Sequence, residues 1–256
     1  MAKHKTENYI NDRKAVNQAE SEICDPVGMF IAPIARIRTG FSEKFGIPRQ
    51  SGLASSTHGI IIFEKKYRKP DALRGLEGFS HLWLIWGFSA NKALSDWQPT
   101  VRPPRMGGNS AMGVFATRSP FRPNPLGLSC VEIRKIEFSQ EQGPLIHVNG
   151  ADLMDGTPIY DIKPYVRYAD SRPDAVCGYV DALEERHLDV RFAESVERAL
   201  DNDALEVMRE ILSLDPRPAY QNDPERVYGL SYSGYNIKFT VNGDTLTVNA
   251  VDSIEN

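Results

Sequence analysis

The segment from Val101 to Val131 carries four arginines, Arg102, Arg105, Arg118 and Arg122, and neither aspartate nor glutamate. Within it, GVFATRSPFRPNPLGLS (residues 113–129) adds three prolines and two glycines. Proline holds backbone shape at low entropic cost. Glycine lets a ligand approach the main chain. Arginine presents a planar, permanently charged fork of donors suited to a carboxylate or a phosphate. The combination reads as a preformed pocket for a polar, anionic ligand. The competing reading is a loop whose arginines are solvated or pair with acids elsewhere in the chain.

A second group lies in DLMDGTPIYDIKPY, where Asp152, Asp155, Asp161 and Lys163 crowd one short stretch. Asp155-Gly156-Thr157-Pro158 is a turn by composition. A carboxylate there can accept from an amine or a ribose hydroxyl, or act as a general base. On residue types alone, turn chemistry with Asp155 capping its own loop is the stronger reading. FGIPRQSGL (residues 45–53) and DPRPAY (residues 215–220) have no chemistry of their own by type.

These stretches need elements to hold them. MFIAPIARIRTGF reads as a strand, and PDALRGLEGF as a short helical turn with Leu73, Leu76 and Phe79 on its apolar side. SHLWLIWGF predicts a strand buried on both faces, GVFATR another strand, LSCVEIRKIEF and PLIHVNG two more. Six or so strands joined by Pro- and Gly-rich connections favour a mainly β barrel or sandwich over residues 28–168. Beyond it, DNDALEVMREILSLDPRP predicts a helix with Leu205, Met208, Ile211 and Leu212 on one face, capped by Asn202 or Asp203. YGLSYSGYNIKFTVNGDTLTVNAV alternates with period two around Asn242-Gly243, a hairpin signal. We expect a mobile extension over residues 1–27, a barrel over 28–170 and a small α+β unit over 171–256.

Composition narrows the function. The 256 residues carry a formal charge of −4, so a nucleic-acid site must be a local patch. The three cysteines, Cys24, Cys130 and Cys177, are odd in number and scattered, which argues for a reducing compartment without a disulfide framework. The five histidines form no HxH or HExxH pattern, and a metal site is not expected. G-x-G-x-x-G, P-loop and G-x-S-x-G motifs are absent, which removes support for a Rossmann cofactor site, an NTPase and an elbow-type hydrolase. No apolar run approaches the length of a membrane span, and the polar N-terminus lacks the apolar core of a signal peptide. A cytoplasmic protein is expected.

Taken in order, FGIPRQSGL, LRGLEGFSHLWLIW, VRPPRMGGNSAMGVFATRSPFRPNPLGLS, DLMDGTPIYDIKPY and DPRPAY resemble the TrmO (TsaA-like, YaeB) family of tRNA methyltransferases over residues 29–256. The resemblance implies a non-Rossmann β-barrel using S-adenosylmethionine, and a homodimer with cofactor near the subunit interface. It implies methylation of the exocyclic nitrogen of threonylcarbamoyladenosine beside the anticodon of a threonine tRNA. Matched residue by residue, it places cofactor at Pro48, Arg49, Gln50, Arg118, Leu128, Asp155, Gly156, Thr157 and Pro158. Relatives often carry a histidine just after SHLW, where this chain has Ser89 and Ala90. Asp155 or Asp161 is the expected proton acceptor, if one is needed. Arg102, Arg105, Arg122, Arg217 and Tyr220 are the expected tRNA contacts. A non-catalytic tRNA- or nucleotide-binding module and a small-molecule methyltransferase remain the alternatives, since fold alone does not set chemistry.

Overall fold

The structure is a computed structural model that describes residues 28–91, 97–106, 110–183, 186–218, 221 and 223–254. The described residues divide between Ala32 and Pro33 into two units. All strands among the described residues lie in the second. They are β1 (Ala35–Thr39), β2 (His58–Phe63), β3 (His81–Gly87), β4 (Thr100–Val101), β5 (Met112–Gly113), β6 (Leu126–Ser139), β7 (Gly143–Asn149), β8 (Pro158–Pro164), β9 (Asp189–Phe192), β10 (Tyr228–Tyr232), β11 (Tyr235–Asn242) and β12 (Thr245–Ser253).

Six of them close into an antiparallel barrel in the order β1-β2-β7-β6-β3-β8. The expected β-barrel is present. Its interior is filled by alternate residues of each strand: Ala35 and Ile37, Ile61 and Phe63, Leu82 and Leu84, Val131, Ile146 and Val148, and Ile159. Burying each of the side chains larger than Ala35 contributes roughly 1.5–3 kcal/mol. The run SHLWLIWG departs from expectation. Only Leu82, Leu84 and Trp86 turn fully inward, while His81, Trp83 and Ile85 are half-buried. The outer face of β3 carries broad aromatic residues, which hides the alternation from a simple apolar count. GVFATR is also not a strand beyond Gly113, because Val114–Ala116 closes into a 3-10 turn. β2, β8 and β9 lie in stretches that gave no separate strand expectation.

Since every neighbouring pair in the barrel is antiparallel, three of its connections leave from the same end. These are residues 40–57 (β1 to β2), 88–125 (β3 to β6) and 150–157 (β7 to β8). They contain the PRQ loop, the arginine-rich segment and the DGTP turn.

The C-terminal sheet has the order β10-β11-β12-β9, with β9 parallel to β12. The helix Asn202–Ser213 packs on it through Val207, Met208, Ile211 and Leu212. Its N-cap is Asp201, whose carboxylate accepts from Ala204 N at 2.8 Å, one residue before the expected cap. The β11–β12 hairpin turns at Gly243, whose φ of +60° explains the Asn-Gly signal. This sheet does not fill its core alone. Phe41 and Ala54, from the β1–β2 connection, are buried in it, and Phe45 and Ile47 pack against it. Gly46, at φ +90°, sits so close to Leu230 that a Cβ would lie 2.0 Å from its Cδ1.

Candidate functional site

The DGTP turn is sewn onto β1. Asp155 N donates to Phe41 O at 2.8 Å, Gly156 N to Ile37 O at 2.9 Å, and the Asp155 carboxylate accepts from Thr39 N at 2.9 Å. Arg36 Nη1 donates to Gly156 O at 3.0 Å, and the buried Thr157 hydroxyl to Met154 O at 2.7 Å. Asp155 is thus an exposed carboxylate spent on a backbone amide. Asp161, in β8, accepts from Ile162 N at 2.9 Å and pairs with Lys163 at 3.0 Å.

The PRQ loop is held from several sides. Pro48 is buried. Arg49 Nη2 donates to Asp215 O at 3.3 Å, at the end of the C-terminal helix. The Gln50 side-chain oxygen accepts from Arg118 Nη1. A small open cleft of about 130 Å³ lies between residues 44–49 and Ile211, Leu214, Asp215 and Pro216. Lys44 reaches Asn91, directly after the exposed pair Ser89 and Ala90. Further along, Ser55, Ser56 Oγ and Ser56 N all donate to the Glu210 carboxylate, at 3.1, 3.1 and 2.7 Å.

The centre of the rim is a network on residues that the sequence left unassigned. Trp86 Nε1 donates to Ser129 Oγ at 2.9 Å, and Ser129 Oγ donates to Asp152 Oδ1 at 2.6 Å. Cys130 N donates to Ser51 Oγ at 3.1 Å, and Gly52 N to Gly150 O at 2.9 Å. Gly127 makes this possible. It pairs with Trp86, and a Cβ on it would lie 2.3 Å from the indole. Burial pushes the Asp152 carboxyl above the ordinary range, against the Ser129 bond, its own backbone amide, the Arg118 charge and Ser51. A Trp–Ser–Asp constellation spread over residues 86, 129 and 152 has no local sequence signal. The small residues Gly127 and Ser129 between bulky neighbours are the one sequence feature that agrees with it.

Leu128 directly precedes Ser129 of this network in β6. Gly127, Ser129 and Val131 turn inward along β6, so the Leu128 side chain stands outside and is 51% exposed. β7 pairs with β6 only from Glu132 onward. Cys130 N points to the side where β7 has ended, and so, by the period of two, do the amide and carbonyl of Leu128. Among the described residues, a stretch of β6 backbone without a β7 partner therefore lies beside Ser51, next to Gln50 and its partner Arg118.

Of the expected tRNA contacts, Arg102 is exposed. Arg122 is half-buried and braces its own loop, with Nη1 donating to Thr117 O at 3.1 Å. Arg105 lies in the 3-10 turn Pro104–Met106. Tyr220 lies outside the described residues. Arg217 is a correction: it is 6% exposed and paired with Asp215 through bonds of 2.8 and 2.9 Å, so it holds the DPRP segment instead of facing solvent. Burial, with Asp170 adding to it, pushes the Cys130 thiol up and makes it a poor nucleophile. Among the described residues no group of histidine, cysteine or acidic side chains could hold a metal, and no helix is long and apolar enough to cross a membrane.

Residues 36–171 match the model of the tRNA-methyltransferase O N-terminal domain, and residues 185–254 that of the TrmO C-terminal domain. The chain belongs to the TrmO family. It is 42% identical over 218 residues to the tRNA (adenine(37)-N6)-methyltransferase of Escherichia coli K12, covering 81% of this chain and 91% of that protein. The protein of that name from Eikenella corrodens is 43% identical over 178 residues, covering 69% and 99%. The crystal structure of TrmO from Pseudomonas aeruginosa superposes with a TM-score of 0.72 at 31% identity, covering 89% of this chain and 99% of that one.

Proposed function

We infer that this TrmO-family chain methylates the exocyclic nitrogen of adenosine 37 in tRNA, using S-adenosylmethionine held at the rim of the barrel. The names of its full-length relatives support the reaction and its position on tRNA. A relative from Pseudomonas aeruginosa, 42% identical over 209 residues, is described as a putative S-adenosylmethionine-dependent methyltransferase, which supports the cofactor. The observation that carries the reading is the convergence of Gln50, Arg118 and the free edge of β6 at Leu128.

The residues present fit such a cofactor. Its amino-acid end needs a cation for the carboxylate, and Arg118 is exposed beside Gln50. Its base and ribose need backbone donors and acceptors, and the unpaired edge of β6 offers them. When bound, the cofactor supplies a methyl group on a sulfonium, open to in-line displacement. The chain's contribution is positioning. The DGTP turn, Asp155 to Pro158, shapes the rim through its bonds to β1, and Ser89 and Ala90 flank it beyond β3. Arg49 ties the PRQ loop to the C-terminal unit.

The finer parts of the reading rest on the family resemblance. They are a threonylcarbamoylated adenosine as substrate, a threonine tRNA, a cytoplasmic setting and the division into residues 1–27, 28–170 and 171–256. A tRNA face around Arg102 and Arg105 agrees with the absence of acids there. A homodimer agrees with the exposed apolar residues Trp97, Phe115, Phe121, Leu126 and Leu128 of the β3–β6 segment. The run SHLWLIWGF does not supply that surface, because its apolar side is core. Light scattering at micromolar concentration should give twice the 28.7 kDa chain mass; a monomer contradicts the dimer. Isothermal titration should show one cofactor site per chain, weakened at least tenfold by Arg118→Ala. Undiminished binding by that variant would place the cofactor elsewhere.

A further inference from the structure

The rim holds three aspartates from one motif, and their surroundings separate them. Asp155 is engaged with the Thr39 amide. Asp161 is neutralised by Lys163 and lies on the outside of β8. Asp152 alone is drawn into the barrel mouth, partly buried, with its Oδ1 on the Ser129 hydroxyl. The direction of that hydrogen-bond chain is determined. An indole N–H can only donate, so Ser129 Oγ accepts from Trp86 and must spend its single proton on Asp152. Ser129 cannot serve substrate directly. Asp152 is an acceptor whose first oxygen is locked and whose position is set by β3, β6 and the loop at Ser51.

We propose that Asp152 is the proton acceptor for the nitrogen that is methylated, held in place by Ser129 and Trp86. The proposal rests on the cofactor site lying between Gln50, Arg118 and Leu128. The nitrogen's lone pair is delocalised into the adenine ring, so loss of its proton makes it a better nucleophile. As the N–C bond forms and the S–C bond of the methyl donor breaks, the N–H proton passes to Asp152, and the donor leaves as a neutral thioether. A desolvated carboxylate suits this role because burial raises its basicity. Arg118 is the charged group acting on it among the described residues, and it opposes that rise without cancelling it.

Two variants test the proposal. Asp152→Asn keeps the shape and the acceptor for Ser129 but cannot take a proton. It should lower kcat at least a hundredfold, with cofactor affinity by titration and melting temperature nearly unchanged. Ser129→Ala removes a bond that favours the ionised carboxylate. Its Asp152 carboxyl, followed by carbon-13 NMR in the free protein, should titrate at higher pH than in the wild type, and the acid limb of kcat should move with it. Retained kcat in Asp152→Asn, or an acid limb unmoved in Ser129→Ala while the carboxyl shifts, overturns the proposal. If Asp152→Asn fails to fold, Ser129→Ala decides the matter alone. Loss of the cofactor-site reading shows differently, as wild-type-like titration by Arg118→Ala.

Discussion

At the scale of single residues, the buried guanidinium of Arg217 forms an ion pair with Asp215 outside the rim. Burial works to raise the Asp215 pKa, but the bonds and charge of Arg217 outweigh it and hold the carboxyl below the ordinary range. A depressed carboxylate contributes stability that is complete above its unfolded pKa, about 3.9. That contribution is lost as pH falls through the lower folded value. Arg217→Ala leaves Asp215 half enclosed without its partner and should cost about 3 kcal/mol at pH 7. Thermal melts should show the difference from wild type shrinking below about pH 4, as Asp215 protonates in both states. A difference that persists unchanged in acid would assign the loss to packing against Tyr228 and not to charge. Asp152 runs the other way. Its raised pKa means the folded protein binds the proton more tightly, so its ionisation costs stability as pH rises through the window above 3.9. A carboxylate kept at such a cost at the mouth of the barrel is what a functional site shows.

At the scale of elements, the β1–β2 connection belongs to both halves of the molecule. Its ends are barrel strands, its apolar residues Phe41, Phe45, Ile47 and Ala54 sit with the C-terminal core, and Glu210 clamps Ser55 and Ser56. The PRQ triplet lies between these anchors, so the C-terminal helix sets its position. Glu210→Ala removes three hydrogen bonds to a carboxylate near the surface, and should lower stability by about 1–2 kcal/mol. It should also weaken cofactor binding several-fold in a titration, with little change in kcat at saturation. Unchanged affinity would show the loop to be held by the barrel alone. Much of the architecture was legible beforehand. The count of apolar strands between Pro- and Gly-rich connections points to the barrel, period-two spacing points to the last hairpin, and the helix stripe holds with Val207 taking the place of the half-buried Leu205. Other features were hidden for physical reasons. HGIIIF is a continuous apolar run whose alternation appears only when Gly59 is counted as an inward residue. The burial of Arg217 depends on Asp215 adopting φ of +49°, which brings the carboxylate under a guanidinium two residues on. The Trp86–Ser129–Asp152 chain joins three distant segments, and nothing local in any of them announces the contact.

At the scale of the whole molecule, an antiparallel barrel whose strands run alternately up and down sends every second connection to the same end. That topology alone gathers the PRQ loop, the arginine-rich segment and the DGTP turn, which are separated by up to about a hundred residues of chain. The gap where β7 stops short of β6 opens the wall beside them, and the C-terminal unit braces the loop on the far side. A net charge of −4 means that RNA must be drawn to a local cationic face and not to the whole surface. The reaction inferred for this rim is methylation of adenosine 37 of tRNA. It is tested most directly by incubating the protein with unmodified-at-methyl tRNA and isotopically labelled S-adenosylmethionine, then digesting the tRNA to nucleosides for mass spectrometry. One labelled methyl is expected on the modified adenosine beside the anticodon, carried on its exocyclic nitrogen. Label on any other nucleoside, or none on tRNA while the cofactor binds, would contradict it.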